Sequence, residues 1–191
     1  MSATAIFYFD YASPWSYLAD ELLERRLPGV TVDYRPIFLR GLESFEKGIP
    51  YGHAKLRYLG HDLHRTAAYE QIPLRFPSIF PVNGVYAVRG ALHTLAHGGF
   101  PAYHRAMFRA GWRDDRNLSS KDVVIEVARE AGQDAAEFAR AIEEPALKER
   151  LKSETATAQA RGVFGVPMFV VGDELFWGQD RLEYVARAAG K

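Results

Sequence analysis

The 191-residue sequence predicts an α/β fold in which a small sheet module is split by a large all-helical insertion. Three observations predict it. A strand-like run, a helix and a second strand-like run follow one another before residue 40. Residues 40–145 then show capped helical periodicity and no strand pattern. Strand signal returns near residue 168, on either side of a Gly-Asp turn.

Residues 5–9 (Ala-Ile-Phe-Tyr-Phe) form a short apolar run closed by Asp10, as a buried strand does. Ser13 is an N-cap residue, and Pro14 suits the first helical position, where its missing N–H costs nothing. The helix is expected to run through Leu18, Leu22 and Leu23 to about Arg26, ending at Leu27-Pro28-Gly29. Residues 30–37 alternate as a second strand, which makes a right-handed βαβ unit. Helices are expected at 52–71, 84–97, 101–111, 120–131 and 134–143. Ser119 and Ser120 can cap the fourth and Gly132 can close it; Asp134-x-x-Glu137 resembles a capping box for the fifth. Pro145 and Gly162 frame a sixth helix over 146–161. Residues 168–171 and 174–177 flank Gly172-Asp173 as a tight hairpin, and Asp180 can cap a last helix through Leu182 and Val185. The sheet module is therefore assigned to 1–39 and 146–191, the insertion to 40–145, and the active cleft to the space between them.

Composition excludes several functions. Lys+Arg and Asp+Glu are 24 each, and this zero net charge argues against a phosphate-tracking surface and a nucleic-acid partner. With no cysteine there are no disulfides, thiolate metal sites or cysteine nucleophiles. No apolar run is long enough for a membrane span, and Met1-Ser2-Ala3-Thr4 carries no positively charged leader, so a cytoplasmic location is expected. His61/His64 and His93/His97 have same-face helical spacings but no accompanying Glu or Cys. They are expected at the surface or the cleft rim, with no metal. No Gly-x-Gly-x-x-Gly supports a nucleotide cofactor.

Chemistry concentrates at Ser13-Pro14-Trp15-Ser16. This strand-to-helix turn is where thioredoxin-like redox proteins carry Cys-x-x-Cys, and serine at both ends forbids disulfide exchange. A helix N-terminus still favours a thiolate, so the sulfur would come from outside, with glutathione the obvious soluble source. Gly165-Val166-Pro167 opens the third strand with a residue that cannot donate to a ladder. A cis Val166–Pro167 bond would leave both backbone groups of Val166 unpaired and facing the first helix, ready to pair with a bound peptide. A trans proline at the start of an edge strand is the other reading.

Asp10-Tyr11-Ala12-Ser13-Pro14-Trp15-Ser16-Tyr17-Leu18, Lys55-Leu56-Arg57-Tyr58 with Asp62, Pro81-Val82-Asn83 with Arg89, Gly165-Val166-Pro167 and Phe176-Trp177-Gly178-Gln179-Asp180-Arg181-Leu182 occur in this order. With them the chain resembles the DsbA-like branch of the thioredoxin superfamily, and within it the 2-hydroxychromene-2-carboxylate isomerases and kappa-class glutathione transferases. The resemblance spans nearly the whole chain and implies a thioredoxin-like fold with a large all-helical insertion. It implies that Ser13 is the catalytic serine. A hydroxyl without a base is a poor nucleophile, so we read Ser13 as a donor that holds the glutathione thiolate; a plain N-cap is the alternative. Backbone groups of Val166, beside Pro167, would dock the tripeptide. Gly178 and Gln179 would offer N–H groups to its γ-glutamyl carboxylate and Asp180 a carboxylate to its ammonium, unless Asp180 is only a cap. Lys55 would neutralise the glycyl carboxylate or a substrate acid, unless it is merely solvated. Tyr58 and Asn83 would line the substrate cleft or pack at its rim. Relatives often carry an Asn-containing segment where this chain has residues 46–51, which leaves a ligand contact from that loop open.

The implied function is a glutathione-dependent isomerase acting on a small aromatic or conjugated carboxylic acid, with glutathione as cofactor. A kappa-like glutathione transferase and a non-catalytic thioredoxin-like binding module are the alternatives. Homodimers are common among relatives.

Overall fold

Strand pairing begins with β1 (Thr4–Phe9), whose side chains alternate between two apolar environments. Ala5, Phe7 and Phe9 enter the larger core with Phe169, while Tyr8 enters a smaller one with Ile37, Met168 and Val170. A strand buried on both faces belongs in the middle of a sheet. In the computed structural model, which describes residues 4–190, β1 pairs in parallel with β2 (Thr31–Pro36) and antiparallel with β3 (Met168–Val171). Phe7 lies opposite Tyr34 on one side and Phe169 on the other, and the Phe7 and Phe169 rings stack at 4.7 Å. β4 (Glu174–Trp177) follows β3 through the expected hairpin, with Gly172 at φ 59°, and the strand order is β2-β1-β3-β4. Of the expected module, residues 1–3 and 191 lie outside the described residues.

The helices fall close to their expected places. They are α1 (Pro14–Arg26), α2 (His53–Glu70), α3 (Val85–His97), α4 (Phe100–Trp112), α5 (Lys121–Glu130), α6 (Ala135–Ala141), α7 (Pro145–Ala160) and α8 (Leu182–Ala188). Local chemistry sets the starts: Ser120 Oγ accepts from Val123 N at 3.5 Å and Asp134 Oδ1 from Glu137 N at 2.7 Å. Two 3-10 turns, Leu39–Gly41 and Glu43–Phe45, lead from β2 towards α2. The insertion helices share one continuous apolar core with the α1 side of the sheet. No helix among the described residues is long and apolar enough to cross a membrane.

Two expectations are corrected here. Asp180 does not cap the last helix. Gly178, at φ 105°, turns the chain into a 3-10 turn over Gln179–Arg181, α8 starts only at Leu182, and the Asp180 carboxylate accepts from Arg181 Nη1 at 2.6 Å instead. Nor are the histidines all peripheral. His93 is buried and stacked on His97 at 4.5 Å, and burial lowers its pKa. His104 is buried between Tyr11 Oη and Asp20 Oδ1, each 2.9 Å from a ring nitrogen. These rings sit in the core because α3 and α4 turn that face inward. Among the described residues no group of three or more side chains is placed to hold a metal.

Close helix packing makes one glycine of the insertion indispensable. A Cβ on Gly90, in α3, would press on the Tyr103 hydroxyl and lie 2.5 Å from Phe138 Cζ. Neither can retreat, since Tyr103 Oη donates to Ala87 O at 2.8 Å and Phe138 is buried. Gly90→Ala should therefore lower the unfolding free energy by about 1–3 kcal/mol, measured by urea denaturation. An unchanged midpoint would show that the helices can part at no cost.

Candidate active site

The loops at one end of the sheet enclose a cavity of about 880 Å³ with a largely apolar lining. The turn between β1 and α1 supplies Asp10, Ser13 and Trp15, and the first 3-10 turn supplies Leu39 and Arg40. Lys55, Leu59 and Leu63 come from α2, Phe76 and Phe80 from the loop before α3. Phe164 to Pro167 and Trp177 to Arg181 close the remaining side. Gly48, Ile49, Pro50 and Tyr51 also line it, so the loop at 46–51 faces the cavity.

Ser13 heads α1 with extended backbone, φ −97° and ψ 116°, which lets its side chain fold back over the first turn. Its Oγ accepts from Ser16 N at 3.2 Å and donates to Val166 O at 3.3 Å. The Val166–Pro167 bond is cis. The sequence predicts an unpaired Val166 O, and this is corrected: it accepts from the Ser13 hydroxyl. No hydrogen bond to Val166 N–H is found among the described residues. Pro167 O accepts from Gly178 N at 3.0 Å, which ties the proline turn to the glycine that opens the last 3-10 turn. Ser16 is fully buried with its hydroxyl unpaired and does not line the cavity.

Asp10 was not singled out from the sequence. It is 1 % exposed, and its two carboxylate oxygens accept from Ala12 N at 2.9 Å and Leu39 N at 2.8 Å. It thereby joins the Ser13 turn to the turn after β2. A Cβ on Gly84 would stand 2.5 Å from Asp10 Oδ1, so that position admits only glycine. Burial raises the Asp10 carboxyl to about 6, against the opposing pull of the two N–H donors and of Arg40. Next to it, Tyr11 is fixed at both ends, its carbonyl by Trp112 Nε1 at 2.8 Å and its hydroxyl by His104. The turn that presents Ser13 is therefore held from three directions. The available signal was an acidic residue at the buried end of a strand, three positions before a Ser-Pro cap.

The other expected residues divide. Lys55 lines the cavity with its Nζ 4.1 Å from the centroid of the Tyr51 ring. Gly178, Gln179 and Asp180 line it too, but the Gly178 N–H is already given to Pro167. Tyr58 and Asn83 are not among the lining residues. The inward stripe of α2 runs Lys55–Leu59–Leu63 at four-residue spacing, leaving Tyr58 58 % exposed with its hydroxyl 3.4 Å from Arg65 Nη2. Asn83 is used up in closing the turn before α3: its N–H donates to Ser119 Oγ at 2.8 Å and its Oδ1 accepts from Val85 N at 3.3 Å. Arg40, unremarked in the sequence, lines the cavity and is solvent-exposed.

Comparison with known proteins agrees with this architecture. The DSBA-like thioredoxin domain family matches residues 4–190. The 2-hydroxychromene-2-carboxylate isomerase of Sphingobium xenophagum is 31% identical, over 97% of each chain. Human glutathione S-transferase kappa 1 is 26% identical, over 98% of this chain and 91% of its own. A solved structure of a 2-hydroxychromene-2-carboxylate isomerase superposes with a TM-score of 0.85 at 32% identity, covering 98% of this chain and 94% of that one.

The raised Asp10 carboxyl has a measurable consequence. Its folded-state pKa of about 6 lies above the unfolded value near 3.8, so the folded protein holds the proton more tightly. The resulting stability is fully present below about pH 4 and is lost as pH rises through 6. Its size is roughly 3 kcal/mol. The difference in unfolding free energy between wild type and Asp10→Asn should fall by that order between pH 4 and pH 7 in urea titrations. A difference independent of pH would show that Asp10 stays ionised throughout.

Proposed function

We propose that this chain, which belongs to the DSBA-like thioredoxin domain family, is a glutathione-dependent isomerase of the 2-hydroxychromene-2-carboxylate isomerase type. The observation that carries the reading is Ser13. A serine heads α1 where the redox members need cysteine, its hydroxyl meets Val166 O at 3.3 Å in the wall of a large cavity, and the chain has no sulfur nucleophile of its own.

The residues present fit a thiol tripeptide. Ser13, Val166, Pro167, Gln179 and Asp180 line one cavity, Val166 N–H has no partner among the described residues, and Lys55 stands free of any carboxylate. Bound glutathione would supply a thiolate that adds reversibly to a conjugated carbon, making a double bond briefly a rotatable single bond. The chain's own task is to hold that anion and orient two partners. Ser13 Oγ–H now rests on Val166 O at 3.3 Å, a long bond that is cheaply exchanged for one to an anion. Together with the positive end of α1, this donor would lower a thiol pKa of ~8.5 by roughly 1 to 2 units, about 1.4–2.7 kcal/mol. Val166 N–H would take the peptide backbone. The Gln179 and Asp180 N–H groups would take the γ-glutamyl carboxylate and the Asp180 side chain its ammonium. Gly178 serves by shape rather than as a donor. Lys55, lifted off Tyr51, would neutralise the glycyl carboxylate. Phe164 and Trp177, packed edge to face at 5.2 Å, offer an apolar wall to a planar substrate.

A kappa-like transferase is the second reading, favoured by the match to the human kappa enzyme along nearly the whole chain. Stoichiometry separates the two. We expect glutathione to bind in calorimetry and to be required for, but not consumed in, isomerisation of 2-hydroxychromene-2-carboxylate. Ser13→Ala should cut kcat/KM by up to about 100-fold, the hydroxyl's share of the thiolate stabilisation, with the helix end left in place. Consumption of one glutathione per substrate would favour transfer, and absence of heat with the wild-type protein would remove both.

A further inference from the structure

The cavity holds more positive charge than the proposed glutathione contacts use. Arg181 is paired with Asp180, and Arg65 closes over the cavity-lining Asp62. Lys55 rests on Tyr51. Arg40 has no ion-pair or hydrogen-bond partner among the described residues. Its backbone is nevertheless rigidly placed. On one side Leu39 N donates to Asp10 Oδ2 at 2.8 Å, and Gly41 N to Phe38 O at 2.9 Å. Phe38 N donates in turn to Thr155 Oγ1 at 3.1 Å, so α7 anchors the same turn. An unpaired guanidinium on a fixed stem, facing an apolar cavity, is a receptor for a planar anion.

We infer that Arg40 is the specificity-determining contact of this site, taking the carboxylate of the aromatic or conjugated acid as a bidentate ion pair. The inference rests on the proposed function for the identity of the second ligand. Charge balance supports it: the tripeptide's two carboxylates are met by the 179–180 turn and by Lys55, leaving the substrate's carboxylate and Arg40. Position supports it as well. A carboxylate conjugated with the reacting double bond must lie close to the reacting carbon, and Arg40 follows the residue tied to Asp10, three positions before Ser13. Its field already reaches the Asp10 carboxyl, which it lowers against burial.

Cinnamate and cinnamamide, near-isosteric planar probes that differ in charge, test this by calorimetry with and without saturating glutathione. The wild-type protein should prefer cinnamate by about 10- to 100-fold, the range of one charge-assisted pair. Arg40→Gln should bring the two probes within about threefold while leaving the glutathione affinity unchanged, since the side chain takes no part in the proposed tripeptide contacts. Arg40→Lys should restore part of the preference. A preference that survives in Arg40→Gln, moves with Lys55→Gln instead, or is absent from the wild type would overturn the assignment, as would loss of glutathione binding in Arg40→Gln. Failure of glutathione to bind the wild type, with the cinnamate preference intact, would overturn the proposed function and leave Arg40 as an acid receptor.

Discussion

One hydrogen bond joins the two halves of the sheet module at the place where chemistry is proposed. Ser13 Oγ and Val166 O are 153 residues apart in sequence and 3.3 Å apart in space. That contact exists because β1 lies between β2 and β3, so the turn leaving β1 and the turn entering β3 emerge at the same end of the sheet. The Pro167 carbonyl extends the link to Gly178 and hence to the last 3-10 turn. Each of the three segments that would receive a tripeptide is therefore attached to another, and none depends on a freely moving loop.

The same end of the sheet carries a cost. Asp10 is taken out of water, and two backbone N–H groups offset only part of the lost hydration. What the buried carboxylate supplies is cross-linking: one side chain fixes the turn before Ser13 and the turn that carries Arg40. Tyr11, clamped by Trp112 and by the His104–Asp20 pair, holds the adjacent peptide from the opposite side. A hydroxyl meant to stabilise a developing anion works best when its position is settled beforehand, because no reorganisation is then needed at the moment of reaction.

Legibility in the sequence followed the range of the interactions. Ser13 as cap, Pro14 at the first helical position and the Gly172-Asp173 hairpin depend on neighbours within four residues, and they stand where the pattern put them. Helix positions were readable for the same reason, and the family motifs carried Ser13, Val166 and Pro167 to one site. Asp10 was opaque because one of its partners, Leu39, comes from 29 residues away. His104 was opaque because burying its ring requires Asp20 at 84 residues' distance. Arg40 looks in sequence like any arginine on a surface turn, and only the fold shows that it lines the cavity. Tyr58 and Asn83 failed as lining residues for a smaller reason. Each lies one or two positions from residues that do face the cavity, and helical phase or a turn's own hydrogen bonds rotated it away.

The contrast between the two serines shows what kind of chemistry the turn can support. In a dithiol motif both positions act, one attacking and one resolving. Here Ser16 is sealed from the cavity, and its backbone N–H is given to Ser13 Oγ. That donation leaves Ser13 with one proton to offer and an oxygen already polarised by the helix start. The hydroxyl's partners, Val166 O and Ser16 N–H, include no base to make it a nucleophile, yet it is a ready donor. It is therefore better suited to steadying a sulfur anion delivered by another molecule than to forming a bond itself. The neutral partner, Val166 O, satisfies that donor, and in the proposed reaction an anion would compete with it.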